Sequence, residues 1–191
     1  MKVVAFNGSA RKDGNTAALL NRALAEIGAA GIETELIQLA GKVIRPCQAC
    51  YRCAAAKDRR CGYTDDFLND CVAAMDAADG IILGSPTYFA DVSGITKALI
   101  ERAGLVSRVN GDMLKRKVGA AVVSVRRGGA IHAFDTANHF FLIGQMIVVG
   151  SIYWNIGIGR DKGDVEGDEE GMATMKALGE NMAWLLPRVR G

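Results

Sequence analysis

The chain has 191 residues, of which 50% are apolar, and a formal net charge of +2. This length suffices for one domain with a sizeable core, so we expect residues 1–191 to form a single domain. The near-neutral charge gives no electrostatic argument for binding nucleic acid or an anionic membrane, and no apolar run is long enough for a membrane span or a signal peptide.

These absences predict a cytoplasmic protein. In that reducing compartment, clustered cysteines more often bind metal or carry out redox chemistry than form structural disulfides.

The first half of the chain alternates short apolar strands with helical patterns. The predicted elements are a strand at Lys2–Asn7, a helix at Asn15–Ile27, a strand at Thr34–Leu39, a helix at Asp66–Ala77 and a strand at Gly80–Leu83. The first helix has apolar residues at positions 17, 20, 24 and 27, which is a helical spacing. Thr64, Asp65 and Asp66 are predicted to cap the second helix. A cysteine-rich loop, at about residues 45–65, precedes it.

The second half continues the alternation. It contains a helix at Ile95–Leu105, a strand at Lys117–Val125, a helix at His132–Ile143, a strand at Met146–Val149 and a helix at Glu169–Leu186. Such alternation predicts a parallel sheet covered by helices on both faces, and continuous apolar strands fit that burial. Five strands fit the doubly wound, flavodoxin-like order 2-1-3-4-5, a three-layer α/β/α fold whose ligand lies beyond the carboxyl ends of the strands.

The loop after the first strand, GSARKDGNT, has the groups that a phosphate dianion needs. The hydroxyls of Ser9 and Thr16, the Asn15 amide and the free N–H groups at the helix start would hold it, and Arg11 would add a charge-assisted bond. The alternative is an ordinary turn in which Asn15 or Thr16 caps the helix. A Walker loop does not fit, because five residues separate the glycines and an asparagine replaces the lysine.

Two more loops end at the same predicted sheet edge. After the third strand, Pro86 fixes the backbone, and Tyr88 and Phe89 offer flat apolar surface. After the fourth strand, residues 124–129 (SVRRGG) offer flexible backbone and hydrogen-bond donors that suit the polar edge of a heterocycle. Two ordinary surface turns are the alternative interpretation.

Four of the five cysteines lie close together in the sequence. Cys47, Cys50 and Cys53 form a C-x2-C-x2-C run suited to one face of an iron–sulfur cubane, and Cys61 would supply a fourth thiolate. Structural zinc usually takes two separate pairs of ligands. A cluster-free thiol loop, a zinc site and a reversible disulfide remain open alternatives. Cys71, on the apolar side of a predicted helix, is expected in the core.

The segments FNGSARKDGNT, PCQACYRC, GSPTYFADVSGITKALIERAG and RRGG together resemble the NADPH-dependent FMN reductase-like branch of flavodoxin-fold proteins, and within it the iron–sulfur flavoproteins. The resemblance covers nearly the whole chain. It implies that the FMN phosphate is held by Ser9, Arg11, Asn15 and Thr16. It places Pro86, Thr87, Tyr88 and Phe89 beside the isoalloxazine and ribityl chain, and Ser124, Arg126, Gly128 and Gly129 near the pyrimidine end.

The resemblance implies an FMN-dependent oxidoreductase of the NAD(P)H-dependent reductase type. Electrons would pass between a donor, a [4Fe–4S] cluster and FMN, and no side chain is assigned a catalytic role because the flavin carries the chemistry. The alternatives are a cluster-free NAD(P)H-dependent FMN or quinone reductase, a non-catalytic electron carrier and a thiol sensor. The expected partners are a small-molecule or protein electron donor and acceptor, with NAD(P)H as one candidate donor.

The chain is also expected to form a homodimer or homotetramer. The region from Phe140 to Trp154 is rich in aromatic and aliphatic residues, more than one covered helix and strand require.

Overall fold

A parallel β-sheet forms the centre of the computed structural model, which describes residues 1–190. Its strands are β1 (Lys2–Asn7), β2 (Glu33–Gln38), β3 (Gly80–Pro86), β4 (Val118–Val125), β5 (Ile147–Val148) and β6 (Ile156–Ile158). The order is β2-β1-β3-β4-β5, with β6 also paired to β4, and every pairing between these strands is parallel. The flavodoxin-like order predicted from the sequence is therefore confirmed.

Helices cover both faces of the sheet. They are α1 (Asn15–Ala29), α2 (Arg52–Ala56), α3 (Leu68–Ala77), α4 (Gly94–Val109), α5 (Ala130–Ile143) and α6 (Glu169–Arg190). Successive strand residues face opposite sides, so Val4 and Phe6 pack in the cluster that contains α3, α4 and α5, whereas Val3 and Ala5 pack with α1 and α6. Burial on both faces explains why the strands are continuously apolar.

The fifth strand is split, which corrects the sequence prediction. β5 pairs with Val118 and Gly119 at the start of β4, and β6 pairs with Val123–Val125 at its end. Between them residues 150–154 leave the sheet. Asn155 is buried in the gap, where its side-chain amide donates to the Ala121 carbonyl (3.0 Å) and its own carbonyl accepts from the Val123 N–H (2.9 Å). The single strand predicted at Met146–Val149 is therefore two residues long, and β6 was missed.

The predicted helices agree with the observed ones to within two residues at most boundaries, but α4 and α6 each end four residues later than predicted. The short helix α2 in the cysteine-rich loop and a 3₁₀ helix at Asp164–Gly167 were missed. None of the helices described here is both long and apolar enough to cross a membrane. The expectation of a single domain remains a prediction.

Candidate active site and cysteine pocket

The loop between β1 and α1 is shaped by its own polar side chains. The Ser9 N–H donates to Asn7 Oδ1, and the Arg11 N–H donates to Ser9 Oγ, both at 3.1 Å. Gln38, at the end of β2, donates from Nε2 to the Ser9 carbonyl, also at 3.1 Å. Since Asn7 and Ser9 are buried, these bonds hold the turn without any ligand.

The start of α1 leaves its polar side chains available. Gly14 is the capping residue and no side chain caps the helix, so the interpretation of Asn15 or Thr16 as the cap is wrong. Instead, Thr16 Oγ1 lies 2.7 Å from Ser124 Oγ, and both residues are buried. This contact uses one of the two hydroxyl protons, so the other can donate to a ligand. The N–H groups of the first helical turn likewise lack intrahelical partners.

Three loops meet in one cleft, which we call the edge cleft. Its volume is about 140 Å³, and it is lined by Ser9, Arg11, Asn15, Thr16, Pro86, Thr87, Tyr88, Ser124, Val125, Arg126, Gly159 and Arg160. The structure therefore brings together all of the predicted FMN-binding residues except Phe89, Gly128 and Gly129. Thr87 Oγ1 is buried here and has no hydrogen-bond partner. Because a buried hydroxyl without a partner is costly, this atom fits a site that a polar ligand completes.

The first two loops are tied together below the cleft. The Gly8 N–H donates to the Gly84 carbonyl at 2.8 Å, and the Ser93 hydroxyl donates to the Gly8 carbonyl at 2.7 Å. A Cβ atom on Gly8 would lie 1.8 Å from Thr96 Oγ1, so only glycine fits at this position. These contacts fix the turn between β1 and α1, which is predicted to bind phosphate, relative to the loop that follows β3.

The remaining predicted residues lie beside the cleft. Gly128 and Gly129 line a neighbouring groove of about 350 Å³ together with Tyr153 and Trp154. Gly129 has φ +86°, and a Cβ atom there would lie 2.9 Å from Ala90. The second and third loops therefore touch at this glycine. Next to that contact, the Phe89 side chain is fully exposed.

A fourth loop, residues 159–163, also reaches the cleft, and no local pattern in the sequence indicated it. It follows β6, and Gly159 and Arg160 line the cleft. Asn15 Nδ2 donates to the Asp161 carbonyl (2.9 Å), and Asn15 Oδ1 accepts from the Gly163 N–H (3.0 Å). The Asn15 amide thus holds this loop.

The four clustered cysteines line a second, smaller cavity, the cysteine pocket, together with Gln48, Tyr51, Gly62, Tyr63, Arg102, Leu105 and Val106. Cys53 and Cys61 are buried, and Cys50 is exposed. The backbone curls through left-handed conformations at Ala49 (φ 49°) and Tyr51 (φ 53°), which are uncommon for residues other than glycine. Burial raises the pKa of the Cys53 thiol, and the nearby Cys61 and Cys50 sulfurs raise it further.

The thiols of the cysteine pocket are potential metal ligands. Within residues 1–190, no three histidine, cysteine, aspartate or glutamate side chains are placed so that they share a metal ion. The four thiols therefore line the same cavity without converging. Thiolates are soft ligands that suit iron or zinc. To bind one metal centre together, however, the four sulfurs would have to move closer to one another.

A buried arginine borders the cysteine pocket, and the sequence analysis missed it. Arg102 of α4 is 2% exposed and pairs with the Asp66 carboxylate, whose side chain is 1% exposed. Arg102 Nη2 lies 3.1 Å from Cys61 Sγ. Asp66 was predicted to cap the following helix; it accepts the Leu68 N–H at 3.2 Å but also forms this ion pair. Arg102 falls between Leu99 and Val106 on the buried side of α4, and this spacing was the available signal.

The charge of Asp66 is stabilised although it is buried. Burial alone would raise the pKa of this carboxyl group, but the hydrogen bonds from Arg102 and from the N–H groups of Arg45 and Leu68 outweigh burial and hold the pKa below its usual value. Nearby, Asn69 accepts the Cys61 N–H (2.8 Å) and donates to the Cys61 carbonyl (3.0 Å). Cys61 is thus held through both its backbone and its sulfur.

Known proteins share both the sequence and the fold. An iron-sulfur flavoprotein from Methanocaldococcus jannaschii is 39% identical over 100% of both chains. An iron-sulfur flavoprotein from Methanosarcina thermophila is 31% identical over 100% of this chain and 97% of that protein. A crystal structure of RosB with a bound 8-demethyl-8-formylriboflavin-5′-phosphate intermediate has a TM-score of 0.80 at 18% identity, covering 100% of this chain and 80% of that one.

The family model for NADPH-dependent FMN reductases matches residues 1–161, which include all three predicted flavin loops and the four clustered cysteines. With this match and full-length relatives above 30% identity, the chain belongs to the NADPH-dependent FMN reductase family and is an FMN-dependent oxidoreductase.

Proposed function

We propose that the chain is an iron–sulfur flavoprotein that passes electrons between a donor, a [4Fe–4S] cluster and an FMN held in the edge cleft. The observation that carries the flavin part is the cleft itself: the hydroxyls of Thr16 and Ser124 meet there, and Thr87 Oγ1 lacks a partner. When bound, FMN exchanges two electrons with a hydride donor and single electrons with a cluster.

The chain's own residues bind and orient the cofactor in this proposal. Ser9, Thr16 and the first turn of α1 hold the phosphate, supported by the positive charge of Arg11. Pro86, Thr87 and Tyr88 border the ribityl chain and the ring, and Arg126 and the two glycines of the third loop lie near the pyrimidine end. A hydrogen-bond donor there stabilises the charge of the reduced ring.

The cluster proposal rests on the cysteine pocket and on the names of the relatives. Cys47, Cys50, Cys53 and Cys61 line one cavity, and thiolates are the ligands that iron–sulfur clusters use. Full-length relatives are named iron-sulfur flavoproteins. A cytoplasmic location belongs to the same proposal, because a reducing compartment keeps these thiols available.

We also propose that two or four copies of the chain associate. Leu142, Ile143, Ile152, Tyr153 and Trp154 are exposed, whereas Phe140, included in the predicted surface, is buried. Large exposed apolar patches commonly mark interfaces. Sedimentation at micromolar concentration should give a dimer or tetramer, and a monomer would contradict this proposal.

The second candidate function is a cluster-free NAD(P)H-dependent FMN or quinone reductase. The observation that favours it is that the four thiols are not placed to share one metal centre. Iron, acid-labile sulfide and flavin analysis of anaerobically purified protein separates the two. The proposal expects about four irons and one FMN per chain. Flavin without iron, even after chemical reconstitution, would leave the cluster-free reductase, and turnover of NAD(P)H would distinguish it from a carrier.

A further inference from the structure

The fourth loop is built as a rigid wall of the edge cleft. Asp164 Oδ2 accepts the N–H groups of Arg160 (3.0 Å) and Asp161 (2.7 Å), so one carboxylate oxygen fixes the turn. The Gly159 N–H donates to the Val125 carbonyl at 2.9 Å, which attaches the loop to the end of β4. Its backbone is therefore held from both sides before any ligand binds.

Asn15 joins this loop to the start of α1. Both ends of its amide are engaged, since Nδ2 donates to the Asp161 carbonyl and Oδ1 accepts the Gly163 N–H. A Cβ atom on Gly159 would lie 2.7 Å from Asn15 Nδ2, so the loop packs directly against this side chain. Arg11 Nη1 adds a longer contact, 3.5 Å, to the Arg160 carbonyl.

The charge of the cleft also points to the fourth loop. Its described lining residues include three arginines, Arg11, Arg126 and Arg160, and no aspartate or glutamate. A flavin phosphate at neutral pH carries close to two negative charges, and guanidinium groups recognise phosphate oxygens through charge-assisted bonds. Asn15, Asp164 and the Gly159–Val125 hydrogen bond hold the backbone of Arg160 at the cleft.

We propose that the fourth loop is part of the FMN phosphate site: Arg160 binds the phosphate, and Asn15 positions the loop instead of binding the phosphate itself. This inference rests on the proposed FMN function and deepens it. It extends the phosphate site beyond the turn after β1, and it changes the role that the sequence predicted for Asn15.

The test compares FMN with riboflavin, which lacks the phosphate, by titrating apoprotein and following flavin fluorescence. Arg160→Ala should weaken FMN binding on the order of tenfold and leave riboflavin binding unchanged, because a hydrogen bond to a charged group is lost. Lys162→Ala is the matched control: it removes the same charge from the same loop, outside the cleft lining, and should change FMN affinity less than about twofold.

A double-mutant cycle tests the role of Asn15. If Asn15 acts through the loop, Asn15→Ala should weaken FMN binding in the wild-type background but have little further effect when combined with Arg160→Ala. Additive losses would show that Asn15 binds the phosphate directly and would overturn its positioning role. Should Asn15→Ala also lose riboflavin, Asp164→Ala replaces it in the cycle, because it frees the same loop from its other anchor.

The outcomes separate this inference from the function on which it rests. If the wild-type protein binds FMN and riboflavin equally, the phosphate cleft of the proposed function fails. If the wild-type protein prefers FMN but Arg160→Ala behaves like Lys162→Ala, the proposed function stands and the fourth loop has no part in phosphate binding.

Discussion

The edge cleft and the cysteine pocket differ in how far the protein's own contacts arrange their binding groups. In the cleft, Asn7, Ser9 and Asn15 bond to backbone groups, so the turns hold their shape without a ligand. In the cysteine pocket, the four thiols share a cavity but do not converge. The turn after β1 is held by neutral hydroxyl, amide and N–H groups, whereas four thiolates at cluster distance repel one another unless a metal neutralises them.

Part of the cysteine pocket is held by polar contacts. Arg102 and Asp66 form a buried ion pair there, and Asn69 holds the backbone of Cys61. Cys50, by contrast, is exposed on a segment with left-handed backbone. Of the four thiols, Cys61 is therefore held through both its backbone and its sulfur, and Cys50 is the most exposed.

The largest expected effect is complete loss of iron from Cys50→Ala. This change removes one of the four proposed ligands, so iron and sulfide analysis after anaerobic reconstitution should find little cluster. FMN should remain bound, because the edge cleft has no residue in common with the cysteine pocket. Cys71→Ala is the control, since Cys71 lies in the core and should keep the iron of the wild type. Equal iron in Cys50→Ala and wild type would contradict the ligand assignment.

Breaking the buried ion pair comes second. Asp66→Ala leaves the Arg102 charge buried without its partner and should lower the free energy of unfolding by about 3–5 kcal/mol in a denaturant titration. Asp65→Ala is the matched control, because Asp65 forms an exposed pair with Arg45 and its loss should cost less than about 1 kcal/mol. Similar losses in both variants would mean that the buried pair contributes no more to stability than the exposed one.

Loss of the two hydroxyls proposed to bind the FMN phosphate, those of Ser9 and Thr16, should have a smaller effect, and this effect should be confined to the edge cleft. Combining Ser9→Ala with Thr16→Ala should weaken FMN binding by about 2 kcal/mol, roughly thirtyfold, because hydrogen bonds to a charged phosphate are lost. Riboflavin binding should stay near its wild-type value. Thr64→Ala, an exposed hydroxyl in the cysteine-rich segment, is the control and should change neither affinity. Equal losses for FMN and riboflavin would remove the phosphate assignment.

Local sequence signals were enough for the sheet order and for most of the edge cleft. Apolar strands followed by polar, glycine-containing turns indicated where Ser9, Thr87 and Ser124 would meet, because carboxyl ends of parallel strands share one edge. The missed strand, β6, has three residues and is separated from β5 by an excursion, so its pattern is too short to stand out.

The non-local partners could not be predicted. Asn15 bonds to groups that lie 146 and 148 residues away, and Arg102 pairs with Asp66 across 36 residues. A single sequence shows that such a residue is polar but not which distant backbone it meets. The helix-cap interpretation of Asn15 used the nearest available partners, and tertiary structure supplied different ones. Asp66 accepts the nearby Leu68 N–H and also pairs with the distant Arg102.

The smallest expected effect is on the pH dependence of stability. Replacing Asp66, beside the cysteine pocket, should change how the free energy of unfolding varies with pH, and replacing the hydroxyls of the edge cleft should not. The folded protein holds the pKa of Asp66 below its usual value of 3.8, so the stability that this carboxylate contributes is present above that pH and is lost as the pH falls through the folded pKa. Asp66→Asn lacks this contribution. The difference in unfolding free energy between wild type and Asp66→Asn should therefore be constant near neutral pH and narrow below about pH 4.

The variant Ser9→Ala with Thr16→Ala provides the contrast, because hydroxyl groups do not titrate in this range. Its difference from wild type should stay the same over the whole pH series, since the other carboxylates titrate alike in both proteins. Denaturant titrations of the three proteins from about pH 7 down to about pH 3 measure both differences. If the difference in unfolding free energy between wild type and Asp66→Asn does not narrow in acid, the ionised carboxylate of Asp66 is not the group that stabilises Arg102 beside Cys61.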